Sequence, residues 1–351
     1  MTIKELREVA KSKGLKGYSK LKKTELEELL KESTEQEKFL ENINPEIEVI
    51  QYKDENDWLE IRKLGLGGSD VAGVLGESKY KSAVDVWNDK INGSSFSGNR
   101  FTHWGNKLEA VIATEFDDRH KDLKVFELNR TLKKGKSLAN IDRFLYDPSL
   151  NEYGILEIKT TNSFNYKEWN EETIPQEYYC QVMHYLAVSG LKFAYICCLI
   201  GGNDYREFRI ERNEDECNYV LNYCDEWWKK YIETNLAPPA DGSKAYSEYQ
   251  KKKADNLNDI EIEINIDTTE FDELKAEIEE KGKKLELIKQ SWIDEMIKFG
   301  AKKAKLKNYK ITTITQKRET LDKKKLKESV PNIDDFLKVT ESKFYKVTKV
   351  E

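Results

Sequence analysis

Asp142, and after a turn the run Gly154-Ile155-Leu156-Glu157-Ile158-Lys159, bring together residue types that can do chemistry. Residues two apart on a strand share a face, so Glu157 and Lys159 project together while Leu156 and Ile158 bury on the other side. Two carboxylates brought close by a hairpin repel each other unless a cation lies between them. Hard oxygen ligands at that charge density suit magnesium, with manganese as a substitute. Lys159 could then orient or deprotonate a water for attack on phosphorus, while the metal offsets charge on the phosphoryl group. Taken alone, Glu-x-Lys on a strand is also the pattern of an exposed ion pair that contributes little. The apolar strand, the preceding turn and Asp142 beside a second apolar stretch favour the chemical reading.

Such a hairpin needs a scaffold. From Trp58 to Asp241 the pattern alternates helices and strands, which predicts a mixed α/β core. Gly68-Ser69 opens a helix, Trp104 to Phe116 is an amphipathic helix, Gly154 to Lys159 and Phe193 to Ile200 are apolar strands, and Pro238-Pro239 closes the core. Ahead of it, Leu6, Val9 and Ala10, then Leu26, Leu29 and Leu30, mark two short helices around Gly14-Leu15-Lys16-Gly17-Tyr18-Ser19. The polar stretch Ser33-Thr34-Glu35-Gln36-Glu37 and the Asn44-Pro45 break predict a linker, giving modules at 1–44, 45–242 and 243–351. In the last module Ile260, Ile262, Ile264 and Ile266 alternate as a strand would. Phe271, Leu274, Ile278, Leu285, Ile288 and Trp292 predict a long helix or helical hairpin, buried on its own domain or set against a coiled-coil partner, although Lys281 interrupts the heptad. Tyr309 to Ile314 and Phe344 to Val347 read as strands around a basic helix.

Composition narrows the function. The formal net charge of -6 argues against a nucleic-acid partner only until its distribution is considered, because Lys298 to Lys327 holds twelve Lys or Arg against two acids. That stretch is either a solvated face or a nucleic-acid track, with Lys302, Lys303 and Lys305 as candidate contacts. Five cysteines (180, 197, 198, 217, 224) with no Cys-x-x-Cys pair fit reduced, buried thiols and a cytoplasmic protein better than disulfides or a zinc or iron-sulfur site. His103 and His184 lack paired metal-ligand spacing and read as core or surface residues. No signal peptide opens the sequence and no run of about eighteen apolar residues could span a bilayer.

Asp142 with Leu156-Glu157-Ile158-Lys159 resembles the PD-(D/E)XK nuclease signature, and the flanking motifs resemble its YqaJ or lambda-exonuclease branch. Arg62 with Gly65-Leu66-Gly67-Gly68-Ser69-Asp70 resembles the branch's opening Arg and Gly-Gly-Ser-Asp turn; Trp104-Gly105-Asn106-Lys107-Leu108-Glu109 resembles its Trp-Gly-x-x-x-Glu helix. Pro175, Tyr178 and Gln181-Val182-Met183-His184-Tyr185 resemble its Gln-x-x-x-Tyr helix, so the likeness runs in family order over roughly residues 58 to 241. One departure stands out: relatives usually carry Ser-Pro-Asp-Gly where this chain has Asn140-Ile141-Asp142-Arg143.

The resemblance implies a restriction-endonuclease-like fold, a central mixed sheet flanked by helices. It also implies a metal held by Asp142, Glu157 and the Ile158 carbonyl, Lys159 as base or water-positioner, and Glu109 supporting the metal's water shell, unless Glu109 is a plain helix-surface acid. Arg62 and Ser69, with Asn140 in place of the usual Ser, would grip a terminal 5′-phosphate; an ordinary Ser N-cap is the alternative for Ser69. Gln181 and Tyr185 share a helical face and would orient Lys159 or the scissile phosphate, or simply pack. The amino-terminal hairpin resembles a SAP-like, helix-extension-helix DNA-binding module through Leu6-Arg7, Ala10, Gly14-Leu15, Tyr18-Ser19 and Lys22-Lys23. Lys16, Lys20, Lys22 and Lys23 would then meet phosphates, with protein docking as the other option. The function this implies is a Mg2+-dependent deoxyribonuclease that digests linear duplex DNA 5′ to 3′ and leaves 3′ overhangs for phage-type recombination. Relatives pair with a single-strand annealing protein and form trimeric rings. Competing expectations are a structure-specific or restriction-like endonuclease and a catalytically silent DNA-binding adaptor.

Overall fold

The computed structural model describes residues 1–94, 98–170, 173–254, 257, 258 and 260–315. The chain divides into two units, Met1–Lys253 and Ala254–Glu351.

The first unit opens with α1 (Ile3–Ser12), capped where Thr2 and Glu5 exchange side-chain-to-backbone hydrogen bonds, and its buried Leu6 and Ala10 face α2 (Lys23–Asn42). Helix α2 runs straight through residues 33–37, where the polar composition predicts a linker. Leu26 and Phe39 are both buried along it, and Phe39 lies among the rings of Phe126, Phe144 and Tyr153. Glu, Gln and Lys are good helix formers, so with a buried aromatic at the far end the polar stretch continues the helix rather than breaking it. Residues 1–44 therefore belong to the same compact unit as the core.

Next come β1 (Glu48–Gln51), α3 (Glu55–Ile61), β2 (Leu66–Gly67), α4 (Gly68–Leu75), α5 (Ala83–Asn92), α6 (Arg100–Arg119), β3 (Lys124–Phe126), β4 (Arg130–Lys134) and β5 (Ser137–Ala139). The centre follows with β6 (Arg143–Asp147), β7 (Glu152–Thr161), α7 (Gln176–Ser189), β8 (Phe193–Ile200), β9 (Asp204–Glu211) and α8 (Glu214–Trp227). One sheet has the order β3-β6-β7-β8-β9, with β7 and β8 parallel and its other pairs antiparallel; a second has the order β1-β4-β5-β2.

Strand β7 is covered on both faces. Ile155 joins Val182, Met183 and Leu186 of α7, whereas Leu156 and Ile158 join Ile112, Ala113 and Phe116 of α6. Each such fully buried aliphatic or aromatic side chain contributes about 1.5–3 kcal/mol. The mixed sheet flanked by helices is the fold class that the resemblance implies. Helix α9 (Lys244–Lys253) ends the unit with Tyr249 edge-on to Trp87 of α5, so the division falls after Lys253 rather than at 242.

In the second unit the alternating isoleucines do not form a strand. Residues 260–268 carry no regular element, and Ile260, Ile262, Ile264 and Ile266 are exposed. Period-two alternation marks a face, but a strand also needs a hydrogen-bonding partner. Helix α10 (Thr269–Lys298) is one continuous helix instead of a hairpin. Its Phe271, Leu274, Ile278, Leu285 and Ile288 are exposed, which corrects the expectation of a stripe buried on its own domain. Beyond it, β10 (Lys303–Lys305) and β11 (Lys310–Thr312) pair antiparallel. The expected basic helix and the strand at Phe344 to Val347 fall largely or wholly outside the described residues. All five cysteines are free and buried, and no described helix is long and apolar enough to cross a membrane.

Candidate active site

The β6–β7 ladder runs out at the Arg143–Leu156 pair, so beyond it the β6-facing edge of β7 has no strand partner among the described residues. Asp142 takes that place: its Oδ2 accepts the Ile158 N–H at 2.8 Å. A strand residue's N–H and C=O leave on the same side, so the Ile158 carbonyl is turned toward that open edge as well. Glu157 is 2% exposed, and its Oε1 accepts hydrogen bonds of 2.6 Å from both Lys159 Nζ and Gln181 Nε2. Its other oxygen, Oε2, is buried with no partner. Gln181 Nε2 also donates to the Tyr185 hydroxyl at 3.1 Å, so one face of α7 aligns Glu157. Lys159 Nζ sits 5.0 Å from the centre of the Tyr178 ring.

This arrangement is electrostatically unbalanced. Burial, then the charge of Glu157, push the Asp142 carboxyl well above its ordinary value. Burial likewise raises Glu157, with Lys159 opposing. Burial alone would lower Lys159, but Glu157 and Asp142 outweigh it and keep the ammonium charged. In this state Lys159 donates a hydrogen bond to Glu157. Two strained carboxyls, one oxygen without a partner and a turned-out carbonyl are a donor set that a hard divalent cation fits; magnesium typically takes one or two carboxylates and keeps its remaining waters. Among the described residues no three His, Cys, Asp or Glu side chains converge as a metal-holding group. Glu109 faces the cleft already paired: its Oε1 accepts from Arg143 Nη1 at 2.8 Å.

The opposite wall is a satisfied network. Gly67 caps α4, and its N–H donates to Asp70 Oδ2 at 3.0 Å. Asp70 is fully buried between Lys81 Nζ at 2.8 Å and Lys90 Nζ at 2.7 Å, and Lys90 also donates to the Arg62 carbonyl. Burial would raise this carboxyl, but the two ammonium groups outweigh it and hold it far below the usual range. Arg62 lies over the Trp58 ring and donates to Ser69 Oγ at 3.2 Å. Ser69 is the second residue of α4, so it does not cap the helix. A Cβ on Gly68 would meet Tyr185 Cε1 at 2.5 Å, so only glycine lets the turn pack on α7. Asn140 Oδ1 accepts from Trp58 Nε1 and Thr131 Oγ1, an oxygen spent on framing the wall.

Arg62, Ser69 and Asn140 line one cleft of about 820 Å³ with Asp142, Glu157 and Lys159; Ile158, Gln181, Tyr185 and Glu109 line it too. The lysines of the amino-terminal hairpin, Lys16, Lys20, Lys22 and Lys23, are exposed and do not line it. Lys302, Lys303 and Lys305 are exposed in the second unit. His184 is a core residue: burial pulls it down to about 4 and its Nε2 meets the Leu138 carbonyl oxygen. Sequence reasoning missed Lys81 and Lys90. The signal for them was Asp70, an acid three residues after the glycine cap, whose burial demands cations that only the fold identifies.

The fold and cleft define a class: a mixed-sheet protein with two carboxylates and a lysine on its central hairpin, facing a glycine turn that opens a helix. Residues 57–192 match the YqaJ-like viral recombinase domain. The chain is 33% identical over 299 residues to the uncharacterized protein YqaJ of Bacillus subtilis (strain 168), covering 81% of this chain and 90% of that one. It belongs to the YqaJ family. Residues 1–38 match the N-terminal domain of the Rho termination factor. An alkaline exonuclease from Laribacter hongkongensis is similar in structure at a TM-score of 0.43 and 18% identity, over 58% of this chain and 100% of that chain. A phage related exonuclease from Haemophilus somnus 129PT has a TM-score of 0.37 and 16% identity, over 50% and 99%.

Proposed function

We propose that this chain is a divalent-metal-dependent DNA exonuclease that engages 5′-phosphorylated ends. The observation that carries the reading is the meeting in one cleft of an unpartnered, buried Glu157 oxygen beside Asp142 with the Arg62–Ser69 turn. Asp142, Glu157 and the Ile158 carbonyl would hold Mg2+, with Mn2+ able to substitute; when bound, the ion supplies Lewis-acid polarisation of the phosphoryl oxygen. Lys159, charged and fixed on Glu157, orients the attacking water or stabilises the charge developing on phosphorus. Gln181 and Tyr185 keep Glu157 in one rotamer. Arg62, Ser69 and the amides at the start of α4 receive the terminal phosphate, because a helix N-terminus opened by glycines favours an anion. Asn140 contributes by fixing Trp58, on which Arg62 lies.

The expected polarity is 5′ to 3′, with 3′ overhangs passed to a single-strand annealing protein during phage-type recombination in a bacterial cytoplasm, and the trimer ring of relatives as the assembly. The exposed Lys16, Lys20, Lys22 and Lys23 of the SAP-like hairpin would neutralise phosphates, as would the exposed Lys302, Lys303 and Lys305 of the second unit. Digestion of linear duplexes with 5′-phosphate or 5′-hydroxyl ends, beside closed circles, with Mg2+ or chelator, tests the proposal. The expected result is Mg2+-dependent loss of linear DNA, faster from the phosphate. Cutting of closed circles would make the protein an endonuclease; indifference to chelator would remove the metal.

A further inference from the structure

Arg143 stands beside a metal ligand, where a glycine would leave open space. It begins β6, so its backbone is pinned opposite Leu156. Its Nη1 donates to Glu109 Oε1 and to the Asp142 carbonyl oxygen, and Glu127 Oε1 lies 3.8 Å away. With its side chain only 14% exposed, the guanidinium is held from three directions. Arg143 itself does not line the cleft; Glu109 does.

Resting on the metal site proposed above, we infer that Arg143 is a built-in cation that takes the place of a second divalent ion, making this a one-ion centre. Asp142, Glu157 and Glu109 carry three negative charges, and Lys159 and Arg143 return two positive ones. One divalent ion then leaves a single positive charge, which a phosphodiester cancels. A second would meet Glu109 already paired with a fixed guanidinium, and like charges at contact distance in a partly desolvated site repel strongly. Arg has a planar fork and stays charged at any working pH, so it is suited to serve as a permanent counter-ion. Arg143 acts through Glu109: it is a positioning residue that withdraws Glu109 from the ligand set.

The test counts Mn2+ bound to the full-length protein, reading free Mn2+ by electron paramagnetic resonance during titration, with folding checked by thermal melting. The wild-type chain is expected to bind one ion at its high-affinity site. Arg143→Gly should bind two, the first about tenfold more tightly because one nearby positive charge is gone. Adding Glu109→Gln to that variant should return the count to one. Glu109→Gln alone should keep the count at one and weaken the affinity by up to about tenfold, because one nearby negative charge is gone. Arg143→Lys, which keeps the cation, should stay at one ion. If Arg143→Gly melts early, Arg143→Gln removes the charge with less loss of packing and should also bind two. Two ions in the wild-type chain, or one ion in folded charge-removed variants, would overturn the inference and leave the nuclease reading standing. No ion in the wild-type chain would sink both.

Discussion

The two walls of the cleft solve opposite problems with similar residue types. Around Asp70, one buried carboxylate meets two lysines and a backbone amide, and every charge has a partner. Around Glu157, one buried carboxylate pairs with a single lysine beside a half-buried Asp142, and an oxygen is left without a partner. The first wall is finished on folding and holds a shape. The second keeps an unpartnered carboxylate oxygen, which in the proposed reading a bound cation satisfies. A buried Asp is therefore structural or functional according to its count of partners, not its burial.

That contrast can be broken in order of effect. Asp142→Asn should reduce DNA hydrolysis by about 10³-fold, the upper end for losing one preorganised electrostatic group. Its melting temperature in chelator should not fall, because it removes an unfavourable buried charge while keeping an acceptor for Ile158; a large loss of stability would refute the asymmetry of the walls. Lys90→Met should do the reverse. Asp70 then keeps Lys81 and the Gly67 N–H but loses one charged partner, which costs about 1.5–3 kcal/mol and lowers the melting temperature by roughly 5 °C in a unit of this size. Arg62→Ala or Ser69→Ala should lower the rate ratio of 5′-phosphate to 5′-hydroxyl ends by about 10–100-fold, matching one lost charge-assisted hydrogen bond. An unchanged ratio would remove the turn from end recognition.

The smallest effect concerns pH. Asp142 and Glu157 hold protons more tightly in the folded than in the unfolded chain, so this pair lowers stability as pH rises from the ordinary carboxylate range through their raised values. A divalent ion binds the deprotonated pair and reverses that loss. Mg2+ at about 100 times its Kd should thus stabilise the protein by about 2.7 kcal/mol near pH 8, and by much less near pH 5, where protons compete. Equal melting shifts at both pH values would place the ion elsewhere.

Much of this was legible in the sequence where chemistry and periodicity coincide. Glu157 and Lys159 share a face because Leu156 and Ile158 must be buried, and the β8 strand at Phe193–Ile200 was readable as an apolar run. Gln181 and Tyr185 were correctly set on one face of α7, but Gln181 aligns Glu157 rather than Lys159. Reading failed where a distant contact decided the local state. Residues 33–37 look like a linker until Phe39 finds Phe126 and Phe144, about ninety and a hundred positions away. The isoleucines from 260 to 266 look like a strand, yet no ladder partner lies beside them among the described residues. Lys90 was invisible because its role depends on Asp70, twenty positions earlier on another helix.

The absent side chain of Gly68 has one more consequence. Its backbone lies against Tyr185 and Gln181, and Gln181 in turn holds Glu157, so a single helix face links the glycine turn to the carboxylates. A side chain at Gly68 would therefore push on Tyr185 and Gln181 and, through Gln181, on Glu157.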